Sequence, residues 1–212
     1  MGKDTYAVAY EQAAERIRGL EPEKICAASG AREEPGALLL TYFSRDLRIT
    51  LPSLKMSAPE PSQEEQILIL HYLIGAGMPA AQRQEAPGRG EYVGFKGLPG
   101  GMFYYPSFRQ RALNPLLSRY AALPERILTA AAALGGEPEE LGDVSVRVPV
   151  FPLLDLKIVL YREDEEFPAE ATMLFRDDIV RFLTLEDIAI LGSLVTEQLL
   201  HAEQEAAGGQ SE

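Results

Sequence analysis

Residues 143–175 read DVSVRVPVFPLLDLKIVLYREDEEFPAEATMLF, and this stretch decides the fold. Val144, Val146, Val148 and Val150 alternate with Ser145, Arg147 and Pro149, the period of two that marks a strand with one buried face. Residues 153–161 predict a second strand and residues 171–175 a third. The adjacent carboxylates Glu163, Asp164, Glu165 and Glu166 form a charged turn between them. Downstream, Thr184 stands three residues before Asp187, a spacing that caps a helix whose body is residues 185–200. An antiparallel meander of three strands followed by a last helix is therefore expected.

Working back from the meander, helices dominate. Residues 4–18 place Tyr6, Ala9, Tyr10, Ala13, Ala14 and Ile17 at helical spacing, with Gly19 as a stop. Residues 21–28 predict a short helix, with Pro22 at its first position and Gly30 beyond its end. Residues 38–43 and 47–51 predict strands joined at 44–46. A loop with three prolines follows at 52–62, and Ser62 and Glu65 have the spacing of a capping box for a helix over 63–74. Residues 80–91 predict a polar loop or lid. Residues 92–105, glycine-rich and aromatic, show neither helical nor clean strand period. A helix is expected to start at Pro106 and to be kinked or divided at Pro115, and another runs from Pro124 to Gly135-Gly136. Residues 179–182 fit no element clearly, and residues 203–212 predict a frayed tail. The sum is one α+β domain over residues 1–202. Strands and helices do not alternate as a doubly wound parallel sheet requires.

The chain has 212 residues, 46% hydrophobic and 25% charged, a composition that excludes wholesale disorder. No apolar run is long enough for a membrane span. The opening MGKDTYAVAYEQ lacks a signal peptide's apolar core, so a cytoplasmic location is expected. One cysteine, Cys26, allows no intrachain disulfide and no iron–sulfur cluster within this chain, and it fits a core thiol. Two histidines cannot build a three-histidine zinc site. The net charge of −12 argues against nucleic acid and anionic membranes as partners.

That charge is uneven. Residues 83–119 hold six basic and two acidic groups, while residues 120–212 hold six basic and 19 acidic. The central segment also carries Gly100, Gly101, Lys96, Tyr104, Tyr105, Arg109 and Arg111. Glycines allow close backbone approach, rings give flat contact area, and arginines give forked donors for carboxylate or phosphate. An anionic small molecule could bind there. The alternative is that Phe95, Phe103 and Phe108 are core and the arginines pair with the acidic C-terminal third. The pattern is not a phosphate-binding loop. His71 shares an apolar stripe with Ile67, Ile74 and Met78. It reads as a core histidine, as an axial metal ligand in an apolar slot, or as a general base with Tyr72 beside it. His201 falls near the end of the last helix and reads as solvated. Residues 163–166 lack the pattern of a calcium loop.

The blocks LILHYLIGAG (68–77), YVGFKGLPGGMFYYPSFRQRALNPLL (92–117), ALGGEPEELGD (133–143), DEEFPAEATMLF (164–175) and LTLEDIAILG (183–192) resemble the prokaryotic family named domain of unknown function 3786, over about residues 6–200. The resemblance assigns no activity. It implies kinship with proteins of anaerobes, some of which add a cysteine-rich segment like that of corrinoid iron–sulfur proteins. Cys26 alone cannot supply such a segment. By resemblance, His71, Tyr72, Phe95, Gly100, Gly101, Tyr104, Tyr105, Arg109, Asp164, Glu166 and Phe167 merit testing. The leading expectation is a binding or accessory protein for a corrinoid or haem, with His71 as the metal ligand and Tyr72, Lys96, Gly100, Gly101, Tyr104, Tyr105 and Arg109 around the cofactor. The alternatives are a protein-interaction or self-associating assembly factor, and a small enzyme with acid–base groups near His71.

Overall fold

The computed structural model describes residues 3–78 and 90–208. Its centre is helix α3 (Gln63–Gly77), whose sequence QEEQILILHYLIGAG is apolar on nearly every side. Such a helix must be enclosed. Leu68, Ile69, Leu70, Tyr72, Leu73 and Ala76 are fully buried. α1 (Lys3–Arg18), α2 (Pro22–Ser29) and α7 (Leu185–Gly208) pack against it. Both halves of the Ser62/Glu65 capping box form, and Gly30 closes α2 in the left-handed region at φ 75°.

Two antiparallel sheets complete the α+β fold. The smaller has the order β1 (Arg32–Glu34), β2 (Ala37–Tyr42), β3 (Arg45–Thr50). The larger joins β4 (Tyr92–Gly94), β5 (Glu137–Glu139), β6 (Val144–Phe151), β7 (Leu154–Tyr161) and β8 (Glu170–Arg176) in the order β4-β8-β7-β6-β5. The expected meander β6-β7-β8 is its middle, with a short strand added on each edge. Val146, Val148, Leu156, Ile158, Met173 and Phe175 face the core. On the opposite face Glu137, Arg147 and Lys157 lie in register across three strands, and Arg147 bonds Glu137 at 2.6 Å. Opposite charges in register fix the strand pairing. The sheets are linked where the Phe43 N–H donates to the Val150 carbonyl at 2.9 Å.

Two expectations are corrected, the lack of regular structure at 92–105 and the helix start at Pro106. The glycine-rich stretch at 92–105 holds β4, a 3-10 turn at Phe95–Gly97 and the first turns of α4 (Gly101–Phe108), so the helix starts five residues before Pro106. Its period is hidden because Met102, Phe103 and Tyr104 are apolar and yet exposed. Beyond α4 the winding widens into a π turn, Arg109–Leu113, before α5 (Asn114–Tyr120). Pro115 has no N–H for the Arg111 carbonyl and its ring would crowd that oxygen, so a wider turn just before it relieves the conflict. α6 (Arg126–Ala133) follows. Of the tail expected to fray at 203–212, the described residues 203–208 continue α7 to Gly208, and its buried Glu203 takes a two-pronged bond from Arg119 at 2.7 and 2.9 Å. The lid expected at 80–91 lies almost wholly outside the described residues. Residues 179–182 belong to a 3-10 turn and its end.

Gly75 sits against the Phe182 backbone, and a Cβ there would overlap the Phe182 carbonyl. Gly75→Ala is therefore expected to cost about 1–3 kcal/mol by urea denaturation, the range for overpacking. An unchanged midpoint would disprove this close approach.

Candidate functional site

The last turns of α3 and the first turn of α7 meet at a polar contact. Thr184 caps α7: the Asp187 N–H donates to Thr184 Oγ1 at 3.2 Å, and the Thr184 N–H and hydroxyl donate to Asp187 Oδ2 at 3.1 and 2.7 Å. The other carboxylate oxygen, Asp187 Oδ1, lies 2.8 Å from His71 Nδ1. A carboxylate only accepts, so Nδ1 is the donor, and in the neutral ring the lone pair is then on Nε2. Burial by itself would raise the Asp187 carboxyl, but the bonds from His71 and Thr184 and the charge of His71 outweigh it and hold it below its ordinary value. The His71 side chain is 31% exposed while that of Asp187 is 8% exposed, so the acid is behind the imidazole and the imidazole meets solvent.

The pair lines a cleft of about 240 Å³ with Arg16, Ile74, Gly75, Met78, Phe182 and Thr184. Its walls are apolar, with one guanidinium at hand. The arrangement gives a fixed, basic imidazole nitrogen. Such a nitrogen can coordinate a metal or accept a proton, and the carboxylate behind it strengthens both.

The other expected residues are placed elsewhere. Tyr72 is buried, stacks on Phe151 at 4.2 Å and donates to the Ser29 carbonyl at 2.6 Å. Lys96 lies 4.1 Å over the Tyr105 ring. Gly100 takes φ 79°, and Gly101 touches the Phe95 carbonyl so closely that a Cβ would overlap it. Tyr104 and Arg109 are exposed. None of these lines the His71 cleft. The two regions do share a neighbour: Gly100 faces Leu185 on the same first turn of α7 that carries Asp187. Phe95 and Phe108 stack at 4.1 Å in the core. Phe103, expected beside them, is 89% exposed.

Sequence reading missed Asp187 and Arg16 as members of the site. Asp187 was legible as a cap, but nothing in the chain ties it to a histidine 116 positions away. Cys26 is half-buried, and burial followed by the Glu33 charge pushes its thiol up, away from the reactive thiolate. Asp164 holds its turn by accepting from the N–H groups of Glu166 and Phe167 at 2.8 and 2.7 Å.

A larger cleft of about 600 Å³ lies among Arg45, Glu60, Glu65, Glu197 and His201. Buried Glu65 is fully engaged there, accepting from the Tyr42 hydroxyl at 3.0 Å, the Ser62 N–H at 2.8 Å and the Gln198 amide at 3.3 Å. Among the described residues no group of three or more His, Cys, Asp or Glu side chains is placed to hold a metal ion.

A family model described as Domain of unknown function (DUF3786) matches residues 21–198. The chain belongs to that family. The DUF3786 match takes in both His71 and Asp187, together with the whole helical run from α4 to α5, but not Arg16. Neither the curated proteins nor the solved structures contain a match. No described helix is long and apolar enough to cross a membrane.

Two pH effects of opposite sign follow. Asp187, lowered from 3.8, stabilises the fold above that pH and loses its contribution as pH falls through the lower folded value. Asp187→Asn should thus lower stability at pH 7 by about 1–2 kcal/mol and flatten the acid limb of a denaturation series. Glu197 is raised from 4.5 by lost hydration and by the charges of Glu64 and Glu65. Its ionisation opposes folding as pH rises above 4.5. Glu197→Gln should raise the melting temperature at pH 7, with the gain vanishing below that value. A melting temperature lowered by Glu197→Gln at pH 7 would refute the assigned repulsion.

Proposed function

We propose that the protein is a small-molecule-binding or accessory protein whose ligand meets His71 in its cleft, and that a cobalt- or iron-centred tetrapyrrole is the ligand class to test first. The observation that carries this reading is the 2.8 Å bond from His71 Nδ1 to the buried, doubly anchored Asp187. It fixes the tautomer and the ring plane of a half-exposed histidine, the support that metal-ligating imidazoles use.

The residues present fit the metal of such a group better than its ring. His71 would hold the metal, and Arg16 would meet a carboxylate substituent. The group would supply redox or alkyl-carrying chemistry at its metal. A cleft of about 240 Å³ is smaller than the roughly 300–1,000 Å³ that encloses a drug-sized ligand, so this chain would not enclose a macrocycle by itself. An accessory role, with a second surface covering the cofactor, suits that size. Nucleophilic catalysis is less well supported. Thr184, the one hydroxyl-bearing residue of the cleft lining, has its hydroxyl directed to Asp187 instead of serving as a nucleophile for His71.

The test is an absorbance titration of the full chain with hydroxocobalamin and, separately, with hemin. A shift of the visible bands is expected, absent in His71→Ala and needing about 10–100-fold more cofactor in Asp187→Asn. Binding undiminished in His71→Ala, or no binding of either cofactor by spectroscopy and calorimetry, would overturn the reading.

A further inference from the structure

The segment of residues 92–119 is not absorbed by the His71 cleft. α4 exposes Met102, Phe103 and Tyr104 in succession, at 64%, 89% and 47%. Phe103, Ser107 and Arg111 follow at four-residue spacing, as do Met102, Pro106 and Gln110, and all six are exposed. This face stands on a rigid base, because Phe108 is stacked on Phe95 and Gly101 is lodged against the Phe95 carbonyl. Residues held so firmly do not fold away from water.

The charges on this face also have no acidic partner, although Lys96 lies over the Tyr105 ring and Arg111 acts on the Tyr6 hydroxyl. Arg32, Arg48, Arg119, Arg147, Arg162 and Arg176 all make ion pairs within the fold. Arg16, Arg45, Lys55 and Arg181 have no acid within 4 Å among the described residues and lie far apart in the chain, whereas Lys96, Arg109 and Arg111, equally without one, fall within sixteen residues of a chain of net charge −12. The complement is on the same molecule. Glu163, Glu165 and Glu166 likewise have no basic partner among the described residues, and Phe167 beside them is 65% exposed. The Asp164 bonds hold that turn in shape.

We propose that the protein self-associates, the α4 face of one copy receiving the acidic turn 163–167 of a second copy. An aromatic, methionine and arginine surface has the composition of an interface centre. Copies with net charge −12 repel each other generally, and the basic face is where approach becomes attractive. Around a two-fold axis the contact occurs twice, each copy giving its turn and offering its helix.

Sedimentation equilibrium of the full chain tests this at low salt and at about 1 M salt, where the Debye length falls to roughly 3 Å. A dimer at low salt that loosens at high salt is expected. Phe103→Ser, Arg111→Glu and Glu166→Lys should each weaken it about tenfold or more, with folded circular-dichroism spectra, since all three positions are exposed. Arg111→Glu combined with Glu166→Lys should recover part of the loss. A wild-type monomer at every concentration, a dimer indifferent to these variants, or a monomer that instead binds an added acidic protein through Arg111 would each overturn self-association.

Discussion

The enclosure of α3 is the constraint from which the rest follows. A helix whose middle is ILILHYLI has no face to spare for water, so other elements must surround it. Each polar group on it then needs a partner from those elements, because a buried donor or acceptor left alone costs about 1–3 kcal/mol. Glu65 is answered by Tyr42 of β2 and Gln198 of α7, Tyr72 by the Ser29 carbonyl of α2, and His71 by Asp187 of α7. These bonds tie the central helix to three separate elements in one register. Burial holds the Tyr42 hydroxyl far above its ordinary value, helped by Glu65, so it keeps its proton and donates to Glu65 at neutral pH.

The same enclosure explains which parts of the fold were legible in the sequence. The meander and the two capping boxes depend on spacing within a few residues, and they formed as read. The edge strands β4 and β5 are three residues each and draw their order from pairing with β8 and β6, which no local pattern encodes. The start of α4 was hidden for a related reason. Glycines at 100 and 101 read as loop formers, yet here one supplies a left-handed turn and the other a close approach to Phe95. Their use is tertiary. His71 could be singled out from its apolar stripe, but its meaning depends on Asp187, and only the packing of α7 on α3 unites them.

Asp187 consequently has two structural tasks and one chemical consequence. Its Oδ2 closes the N-terminus of α7 with Thr184, and its Oδ1 orients His71. A helix start favours negative charge, which is one reason the carboxylate is ionised despite burial. Had the cap been a serine or threonine alone, α7 would begin as well, but His71 would have no fixed proton. The choice of an acid at this position converts a helix cap into the support of a basic imidazole nitrogen at a cleft.

The charge distribution divides along the same line between structure and surface. Arg147, Lys157 and Arg119 pair inside the fold, across strands or onto the buried Glu203, where they set register and helix docking, and Arg176 pairs locally with Asp178. Lys96, Arg109 and Arg111 set nothing of that kind. They stand around an aromatic helix face whose base is stacked in the core, and Glu163, Glu165 and Glu166 of the acidic turn equally have no basic partner among the described residues. Here Arg109 and Arg111 fall on one short helical segment beside three exposed apolar side chains, and Lys96 lies one turn upstream over Tyr105. The fold thus leaves the side chains of that segment exposed while α3 and its partners close the core.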